Sequence, residues 1–232
     1  MKVAIMQPYF MPYIGYFQLI KAVDTFVVYD DVNYIKKGWI NRNNILVNDE
    51  SFLFTIPLKE ASQNKNINQI YIEELPNWKV NFLKTIKLSY KNAPYFQDVF
   101  SLIQEIVNQE EHNLAKSIKY SLDKICKYLS IPTKILFSSE IDKNNDLKGQ
   151  DKIIEICNKL EATKYINTIG GKDLYNKEAF LNNTIELNFI STNPIIYSQF
   201  KNDFIPWLSI IDVMMFNSVD KINDFLNQYE LV

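Results

Sequence analysis

The sequence is poor in the side chains that most often build metal sites and disulfides. It contains one histidine, His112, and two cysteines, Cys126 and Cys157, which form no Cys-x-x-Cys pair. A metal site made of cysteine and histidine is therefore excluded, and a reduced, cytoplasmic setting is favoured over a disulfide framework. His112 follows two glutamates at the start of a predicted helix, where a lone histidine is more often a surface residue than a ligand or a base.

Charge of one sign and long apolar runs are absent as well. The chain has 25 basic and 27 acidic residues, a formal net charge of -2, and so lacks the field that attracts nucleic acid or an anionic membrane. No apolar stretch approaches the ~20 residues of a membrane span, and the N-terminus leads directly into a predicted strand. We therefore expect a soluble protein without a membrane span or a signal peptide.

Arginine is nearly absent, because Arg42 is the only one among the 25 basic residues. A guanidinium is planar and permanently charged, which suits bidentate recognition of a phosphate or carboxylate, whereas lysine offers a flexible point charge. Arg42 is therefore a candidate for holding the anionic part of a ligand. The alternative is that Arg42 pairs with Asp30 or Asp31 and holds the following hairpin on the sheet.

Glycine is also scarce, and two of the five glycines stand together in Gly170-Gly171-Lys172. Two glycines allow backbone N–H groups to turn toward an anion, and Lys172 can add a positive charge. The GxxxxGK[ST] pattern of a P-loop is absent. The triplet is either an anion-binding turn or a tight connection between a strand and a helix, with a solvated lysine.

The N-terminal stretch predicts a strand, a loop, a helix and a second strand. Val3 to Met6 is fully apolar, as expected for a strand buried on both faces. Pro8 and Pro12 then force a stiff loop, and Gly15 permits close backbone approach before an apolar pattern of helical period. Phe26 to Tyr29 is the second apolar run. This order predicts two parallel strands joined by a helix.

The carboxyl ends of parallel strands are where open α/β sheets bind ligands. We expect Gln7 and Tyr13 to meet Asp30 and Arg42 in one pocket there. The residues expected to line the crevice after the two strands are Gln7, Tyr9, Tyr13, Asp30, Asp31 and Asn33. Alternatively, the prolines and aromatic residues only stiffen a loop, and Asp30-Asp31 is an ordinary solvated strand end.

A β-hairpin is predicted after the second strand. Two β-rich runs, residues 34–46 and 51–58, flank the turn Asn48-Asp49-Glu50. Alternation along the first run separates two sets of side chains, of which one points at the crevice, and the sequence does not decide which. The sets are Trp39, Asn41 and Asn43 on one face, and Ile40, Arg42 and Asn44 on the other.

The middle of the chain has a helical period. Three amphipathic helices are predicted between residues 77 and 129, as an insertion or cap on the sheet, and strand, helix and strand follow again in residues 134–167. We therefore expect an α/β fold with a Rossmann-like parallel sheet, in a single domain of residues 1–232 with 77–129 as a helical subdomain.

Near the C-terminus Asp212 follows Ser209 by three residues, which favours a capping box over a buried acid near the site.

Motifs at both ends of the chain resemble the WbqC-like family. They are MQPYFMPYIGYFQLI, then D-x-FV-x-YDDV-x-Y-x-K-x-GW-INRN, and later P-x-x-Y-x-Q and F-x-P-x-LSIID. Members of this family are found with genes for surface polysaccharide (O-antigen) and unusual amino-sugar synthesis. The resemblance therefore implies a modifying enzyme of polysaccharide biosynthesis.

The first loop also resembles, more distantly, a nucleotide-binding loop. Phe10 to Tyr16 is similar to the F-x-P-x-H-x-G-H loop of the HIGH-type nucleotidyltransferase superfamily, which includes pantothenate synthetase, with tyrosine in place of each histidine. This resemblance implies stabilisation of negative charge on nucleotide phosphates. Tyr13 and Tyr16 can each donate one hydrogen bond but carry no positive charge. The remaining candidate cations are Arg42, Lys36, Lys37 and Lys172.

Three functions are compatible with these features. The first is group transfer, in which an acyl or aminoacyl group is placed on the amine of a nucleotide-linked or lipid-linked amino sugar, with aromatic residues on the sugar and Asp31 as the base. The second is adenylation by a nucleotidyltransferase, with a nucleotide and Mg²⁺ held by Asp30 or Asp31. The third is a non-catalytic sugar- or nucleotide-binding subunit.

The candidate site residues lie mainly in the loop after the first strand and in the segment after the second. Asp30, Asp31 and Arg42 are predicted to be catalytic, and no residue is assigned as a ligand of a resident metal. We expect a small-molecule substrate and no nucleic acid, and the sequence does not predict the oligomeric state. The predicted substrate-binding residues are Gln7, Tyr9, Phe10, Tyr13, Gly15, Tyr16, Asn33, Lys36, Trp39, Asn41, Asn43, Gly170, Gly171, Lys172, Tyr197 and Gln199.

Overall fold

The computed structural model describes residues 1–201 and 203–232 and contains a six-stranded sheet. Over these residues the strands are β1 (Lys2–Met6), β2 (Thr25–Val28), β3 (Arg42–Val47), β4 (Glu50–Thr55), β5 (Leu58–Lys59), β6 (Tyr71–Ile72), β7 (Lys134–Phe137), β8 (Lys164–Thr168), β9 (Glu186–Thr192) and β10 (Tyr229–Leu231). The helices are α1 (Ile14–Lys21), α2 (Trp78–Tyr90), α3 (Phe96–Asn108), α4 (Leu114–Tyr128), α5 (Gly149–Lys159), α6 (Lys177–Leu181), α7 (Ile210–Phe216) and α8 (Val219–Phe225). Short 3-10 helices cover Ile67–Gln69, Ser138–Glu140 and Ile169–Leu174.

The sheet has the strand order β10-β9-β8-β1-β2-β7. Strands β9, β8, β1, β2 and β7 run parallel, and β10 pairs antiparallel with β9 at one edge. β1 and β2 are neighbours, paired from Val3 opposite Thr25 to Met6 opposite Val28. The predicted α/β fold with a parallel central sheet is therefore confirmed.

Side chains of β1 alternate between two hydrophobic cores, one on each face of the sheet. Ala4 belongs to the core formed with α1, α2, α3, α4, α7 and α8, whereas Val3 and Ile5 belong to the core formed with α5 and α6. Phe26 and Val27 of β2 separate in the same way. Because both faces are buried, these strands are continuous apolar runs in the sequence.

The three helices predicted in the middle of the chain are α2, α3 and α4. Ile86, Ile103 and Ile118, one from each helix, are fully buried in the core that contains α1. The division into one domain with residues 77–129 as a subdomain stays a prediction. In the part of the chain that the structure describes, no helix is both long and apolar enough to cross a membrane.

The predicted hairpin is formed by β3 and β4, which pair antiparallel. Asn48 and Asp49 make its turn with φ angles of 50° and 63°, and positive angles at both positions are typical of a two-residue hairpin turn. The first arm begins only at Arg42, because residues 34–41 form turns and irregular structure. The strand alternation expected for the residues before Arg42 is therefore wrong.

Candidate functional site

A cavity of about 520 Å³, called here the main cavity, lies at the carboxyl ends of β1, β8 and β9. The chain crosses the sheet from β1 to β2 and β7 in one direction, and from β8 to β9 and β10 in the other. The loops after β1 and β8 therefore diverge and leave a crevice between them. This is the topological switch point, where open α/β sheets bind ligands.

Seven of the predicted site residues line the main cavity, and several lining residues were missed. The predicted ones are Gln7, Tyr9, Tyr13, Gly15, Tyr16, Trp39 and Gly170. The missed ones include Ile35, Thr168, Ile169, Ser191, Thr192 and Trp207. Most of the missed residues lie at or just after the carboxyl ends of β8 and β9, so a correct strand order would have found them. The functional roles of all these residues stay predictions.

The loop after β1 supplies the aromatic wall of the main cavity. The Tyr16 hydroxyl donates a hydrogen bond to the Gln7 carbonyl at 2.8 Å, and the rings of Tyr9 and Tyr16 meet edge to face with centroids 6.0 Å apart. Phe10 departs from the prediction, since its ring is 3% exposed and packs against Phe54 in the core. Phe10 therefore anchors the loop to the hydrophobic core and does not face the cavity.

Gly15 is required by the ring of Tyr13. A Cβ atom at Gly15 would lie 2.4 Å from Tyr13 Cε2 and 2.7 Å from the Tyr13 hydroxyl oxygen, which is far inside van der Waals contact. The missing side chain thus lets the Tyr13 ring lie against the first turn of α1. The ring also meets Trp207 edge to face, with centroids 5.9 Å apart.

The three tyrosines of the wall stay protonated at neutral pH. Burial raises the pKa of Tyr9, Tyr13 and Tyr16, and the Thr192 side chain beside Tyr13 opposes only part of this shift. Neutral phenols donate and accept hydrogen bonds but take up no further proton. These side chains can therefore bind polar groups and cannot act as bases.

A second cavity of about 330 Å³ adjoins the main cavity. The two cavities share Tyr13, Thr192 and Trp207, which form a common wall. The second cavity is mostly apolar, with Ile195 and Phe204 among its lining residues. Of the described residues that line either cavity, none is aspartate, glutamate, lysine, arginine or histidine.

The Gly170-Gly171-Lys172 triplet contributes its first residue to the main cavity. Gly170 lines it, and a Cβ at Gly170 would meet nothing within 4 Å. Gly171 instead lies against Asn167, whose Nδ2 would be 2.8 Å from a Cβ there. Lys172 is exposed and does not line the cavity. Of the two interpretations, the tight connection describes Gly171 and Lys172, and anion binding by the triplet stays a prediction.

Arg42 lies behind the rim of the main cavity and does not line it. Its Nε donates to the Gly38 carbonyl at 2.9 Å, and its Nη2 donates to the Lys37 carbonyl. Its guanidinium lies 5.4 Å from the centre of the Trp39 ring. The expected place of Arg42 in the pocket is therefore wrong, and so is the alternative pairing with Asp30 or Asp31, because among the described residues no carboxylate lies within 4 Å of its guanidinium. Arg42 therefore holds the loop that carries Trp39.

Asp30 and Asp31 do not reach the main cavity, so their expected position in the crevice is wrong. They follow β2, and their partners come from the β7 side of the sheet. The Asp30 carboxylate accepts hydrogen bonds from the Ser139 N–H at 3.0 Å and the Ser139 hydroxyl at 2.6 Å. The Asp31 carboxylate lies 2.9 Å from Lys143 Nζ and 3.0 Å from Lys152 Nζ.

The environment of Asp31 is that of a buried ion cluster. Burial raises its pKa, but the side chains of Lys143, Ser138 and Lys152 beside the carboxylate outweigh this effect and leave the pKa below its usual value. A carboxylate held by two ammonium groups is a poor base and a poor ligand for Mg²⁺. Because Asp31 is held by these lysines and no described residue lining either cavity is a carboxylate or a histidine, the site does not fit the metal that adenylation would bring.

The remaining candidates of this region hold the loops. Asn33 is exposed and forms a bridge with Asn66, and Lys36 is exposed on the loop before Trp39. Asn41 is buried and accepts a hydrogen bond from the Tyr34 hydroxyl at 3.0 Å. Asn43 is buried and donates to the Met11 carbonyl at 2.7 Å. None of Asn33, Lys36, Asn41 and Asn43 lines the main cavity.

Tyr197 and Gln199 belong to a buried network centred on Asp212. The Asp212 carboxylate accepts hydrogen bonds from the hydroxyl of Tyr197 at 2.6 Å, Nε2 of Gln199 at 2.6 Å and the hydroxyl of Tyr90 at 2.9 Å. Ser209 caps α7 as predicted, but the capping role expected for Asp212 is wrong. Burial raises the pKa of Asp212, and the three hydrogen bonds offset only part of this shift. The network joins α2, α7 and the wall of the second cavity, which Tyr197 lines.

The chain is similar to proteins of one known family. Its sequence matches the model of the WbqC-like protein family over residues 7–224. It is also 27% identical over 228 residues to the protein described as uncharacterized protein Rv1507c of Mycobacterium tuberculosis (strain ATCC 25618 / H37Rv), with 97% of each chain covered. No solved structure matches the chain. Because the family model spans nearly the whole chain and all of the main cavity beyond β1, the protein belongs to the WbqC-like protein family.

Proposed function

We propose that the protein is a transferase that places an acyl or aminoacyl group on the amine of a nucleotide-linked or lipid-linked amino sugar. Membership in the WbqC-like family suggests a role in polysaccharide-related biosynthesis. Within that role, group transfer needs two substrates to meet at one point. The arrangement of the two cavities is what supports this chemistry over simple binding.

The common wall between the two cavities supports this proposal most strongly. Tyr13, Thr192 and Trp207 line both of them, so a ligand in either cavity lies beside the same three side chains. The main cavity, at about 520 Å³, has the volume of a typical small-molecule site, and the second, at about 330 Å³, suits a smaller apolar group. We assign the amino sugar to the main cavity and the acyl group of the donor to the second.

The lining of the main cavity suits a sugar ring. Tyr9 and Trp39 offer aromatic faces with ring centroids 6.3 Å apart, and Tyr9 and Tyr13 carry hydroxyls. Aromatic faces pack on the C–H face of a sugar while hydroxyl groups bind its oxygens. The uncharged lining favours neutral parts of the substrate over the phosphate.

The proposed transfer step takes place beside the side chains of the common wall. The sugar amine attacks the carbonyl carbon of the donor, the N–C bond forms, and the bond from that carbon to the donor's oxygen or sulfur breaks. The departing oxygen or sulfur takes the proton that the amine loses. Tyr13, which is neutral, donates a hydrogen bond to the carbonyl oxygen as negative charge develops there. With no base on the described lining, the amine must reach the site already deprotonated.

The proposal is tested by mass spectrometry on mixtures of the purified protein, a nucleotide-linked amino sugar with a free amine, and a series of acyl-coenzyme A thioesters. The expected product carries the mass of the acyl group on the sugar. Aminoacyl esters tested in parallel identify the donor class. Product that forms equally fast without protein, or with protein in which Tyr13 and Thr192 are both replaced, would refute the proposal.

A second candidate function is non-catalytic binding of a sugar or nucleotide. The observation that favours it is the absence of an acid or base among the described residues lining either cavity. Calorimetric binding of the amino sugar without turnover of any donor would support this candidate over the first.

A further inference from the structure

The mouth of the main cavity is surrounded by exposed apolar side chains. Ile35 and Trp39 are each 49% exposed, Ile169 is 43% exposed and Trp207 is 70% exposed, and all four also line the cavity. A residue that lines a cavity and keeps half of its surface in solvent lies at the rim. Single exposed apolar residues are ordinary, but four around one opening mark an interaction surface.

Lysines stand between these apolar residues. Lys36 and Lys37 separate Ile35 from Trp39 in the loop 35–39, and Lys172 lies in the 3-10 helix that begins at Ile169. All three lysines are exposed. Exposed tryptophan and aliphatic side chains interleaved with lysine are the composition of a surface that rests on anionic lipid headgroups.

The loop 35–39 is held in this exposed position. Arg42 donates hydrogen bonds to the carbonyls of Lys37 and Gly38 and lies under the Trp39 ring, so the backbone is fixed from the protein side. Lys37 adopts a left-handed φ of 62°, which turns the chain at the tip. A fixed loop loses little conformational freedom on docking.

We propose that this mouth, defined by Ile35, Lys36, Lys37, Trp39, Ile169, Lys172 and Trp207, docks on an anionic membrane surface. The formal net charge of -2 argues against a field over the whole protein, yet headgroup attraction acts within a Debye length and depends on the local lysines. Asp173, beside Lys172, opposes the attraction. The docking proposal depends only on the residues of the mouth. A further step, in which a lipid-linked amino sugar enters the cavity from the membrane as the acceptor, rests on the proposed function.

The experiment is flotation of the full chain with vesicles of phosphatidylcholine, with or without phosphatidylglycerol. The expected result is flotation with the anionic vesicles only, weakened by salt and accompanied by a blue shift of tryptophan emission. The docking variant combines Ile35→Ser, Lys36→Gln and Lys37→Gln and should lose flotation at least about tenfold. Asp173→Asn should strengthen flotation.

A matched control changes the same residue classes on α2. Leu88→Ser, Lys84→Gln and Lys87→Gln remove one exposed apolar side chain and two exposed lysines away from the mouth. This variant should float like the unaltered protein. Equal loss in both triple variants, or no flotation of the unaltered protein, would overturn the inference. Acylation of a soluble nucleotide-linked amino sugar by a protein that does not float would leave the proposed function intact and refute the docking alone.

Discussion

The ring of Tyr13 lies directly over the α-carbon of Gly15, so closely that a Cβ atom there would be 2.4 Å from the ring. Gly15→Ala should therefore push Tyr13 out of the common wall and weaken amino-sugar binding by roughly tenfold. The melting temperature should change little, because the helix preference of alanine over glycine, at most about 0.8 kcal/mol, offsets the packing on Trp207 that the displaced ring loses.

Gly170→Ala is the matched control for this variant. Gly170 lines the same cavity, but a Cβ there would meet nothing within 4 Å. Calorimetric titration should give nearly the same affinity as the unaltered protein. If both alanine variants bind equally well, the position of Tyr13 does not matter for the ligand.

Arg42→Lys should lower stability and not only binding. The two hydrogen bonds from Arg42 to the carbonyls of Lys37 and Gly38 contribute about 1–2 kcal/mol together, and one lysine cannot replace a guanidinium fork. Thermal unfolding should show the loss. Lys37→Gln keeps the carbonyl and should unfold like the unaltered protein. An Arg42→Lys protein of unchanged stability but weaker binding would instead mean that Arg42 holds the ligand.

Much of the site's local structure could be predicted from the sequence, because local patterns determine it. The apolar run of β1, the two prolines after it and Gly15 together indicate a strand, a stiff loop and a helix with a close backbone approach, and these form the aromatic wall. The positions of Tyr9, Tyr13 and Tyr16 follow from their places in that loop.

The strand order could not be predicted, since it depends on packing between distant segments. The sequence places Asp30 and Asp31 at the end of the neighbouring strand, which is correct, but β2 lies on the side of β1 away from the cavity, toward β7. The cavity is completed by β8 and β9, more than 150 residues later in the chain, as their positions in the sequence show. The hydrogen-bond partner of a buried side chain also depends on distant segments. The local sequence predicts a helix-capping role for Asp212, but its carboxylate accepts a hydrogen bond from Tyr90 on α2.

Asp31→Asn should destabilise the fold because it leaves Lys143 and Lys152 buried without their counter-ion. Breaking a buried ion pair from one side costs about 3 kcal/mol. The folded-state pKa of Asp31 lies below its unfolded value. The stability it contributes is therefore present above the unfolded pKa and is lost as the pH falls through the folded one. Chemical denaturation across acidic pH should show a smaller loss of stability in Asp31→Asn than in the unaltered protein, because other carboxylates with lowered pKa values, such as Glu105 and Glu186, remain in both.

Asp212 should affect the pH dependence of stability in the opposite direction to Asp31. Its folded-state pKa is raised, mainly by burial. The contribution of Asp212 to the stability of the fold is therefore most favourable below the unfolded-state pKa, and it falls as the pH rises through the folded-state pKa. Asp212→Asn removes this ionisation and should reduce the loss of stability between acidic and neutral pH. A denaturation profile with the same slope in both proteins would mean that the Asp212 pKa is not raised.

The pH dependence of turnover should follow the substrate and not the protein. Tyr9, Tyr13, Tyr16 and Tyr197 all have raised pKa values, and no other titratable group is found among the described residues lining the two cavities. The rate with saturating donor should therefore rise through the pKa of the sugar amine and then level off. Substrates with amines of different pKa should shift the profile accordingly. An inflection that stays fixed across these substrates would indicate a base in the protein.

In the proposed reaction two substrates meet at the common wall, and the Tyr13 hydroxyl stabilises the transfer. The most direct measurement is the steady-state kinetics of Tyr13→Phe beside Tyr9→Phe, each of which removes one hydroxyl from the main cavity. We predict that Tyr13→Phe lowers kcat by roughly 100-fold with little change in either KM, as expected for loss of an oxyanion donor. Tyr9→Phe should change only the KM for the sugar. Unchanged kcat in Tyr13→Phe, or equal losses of kcat in both variants, would contradict the account.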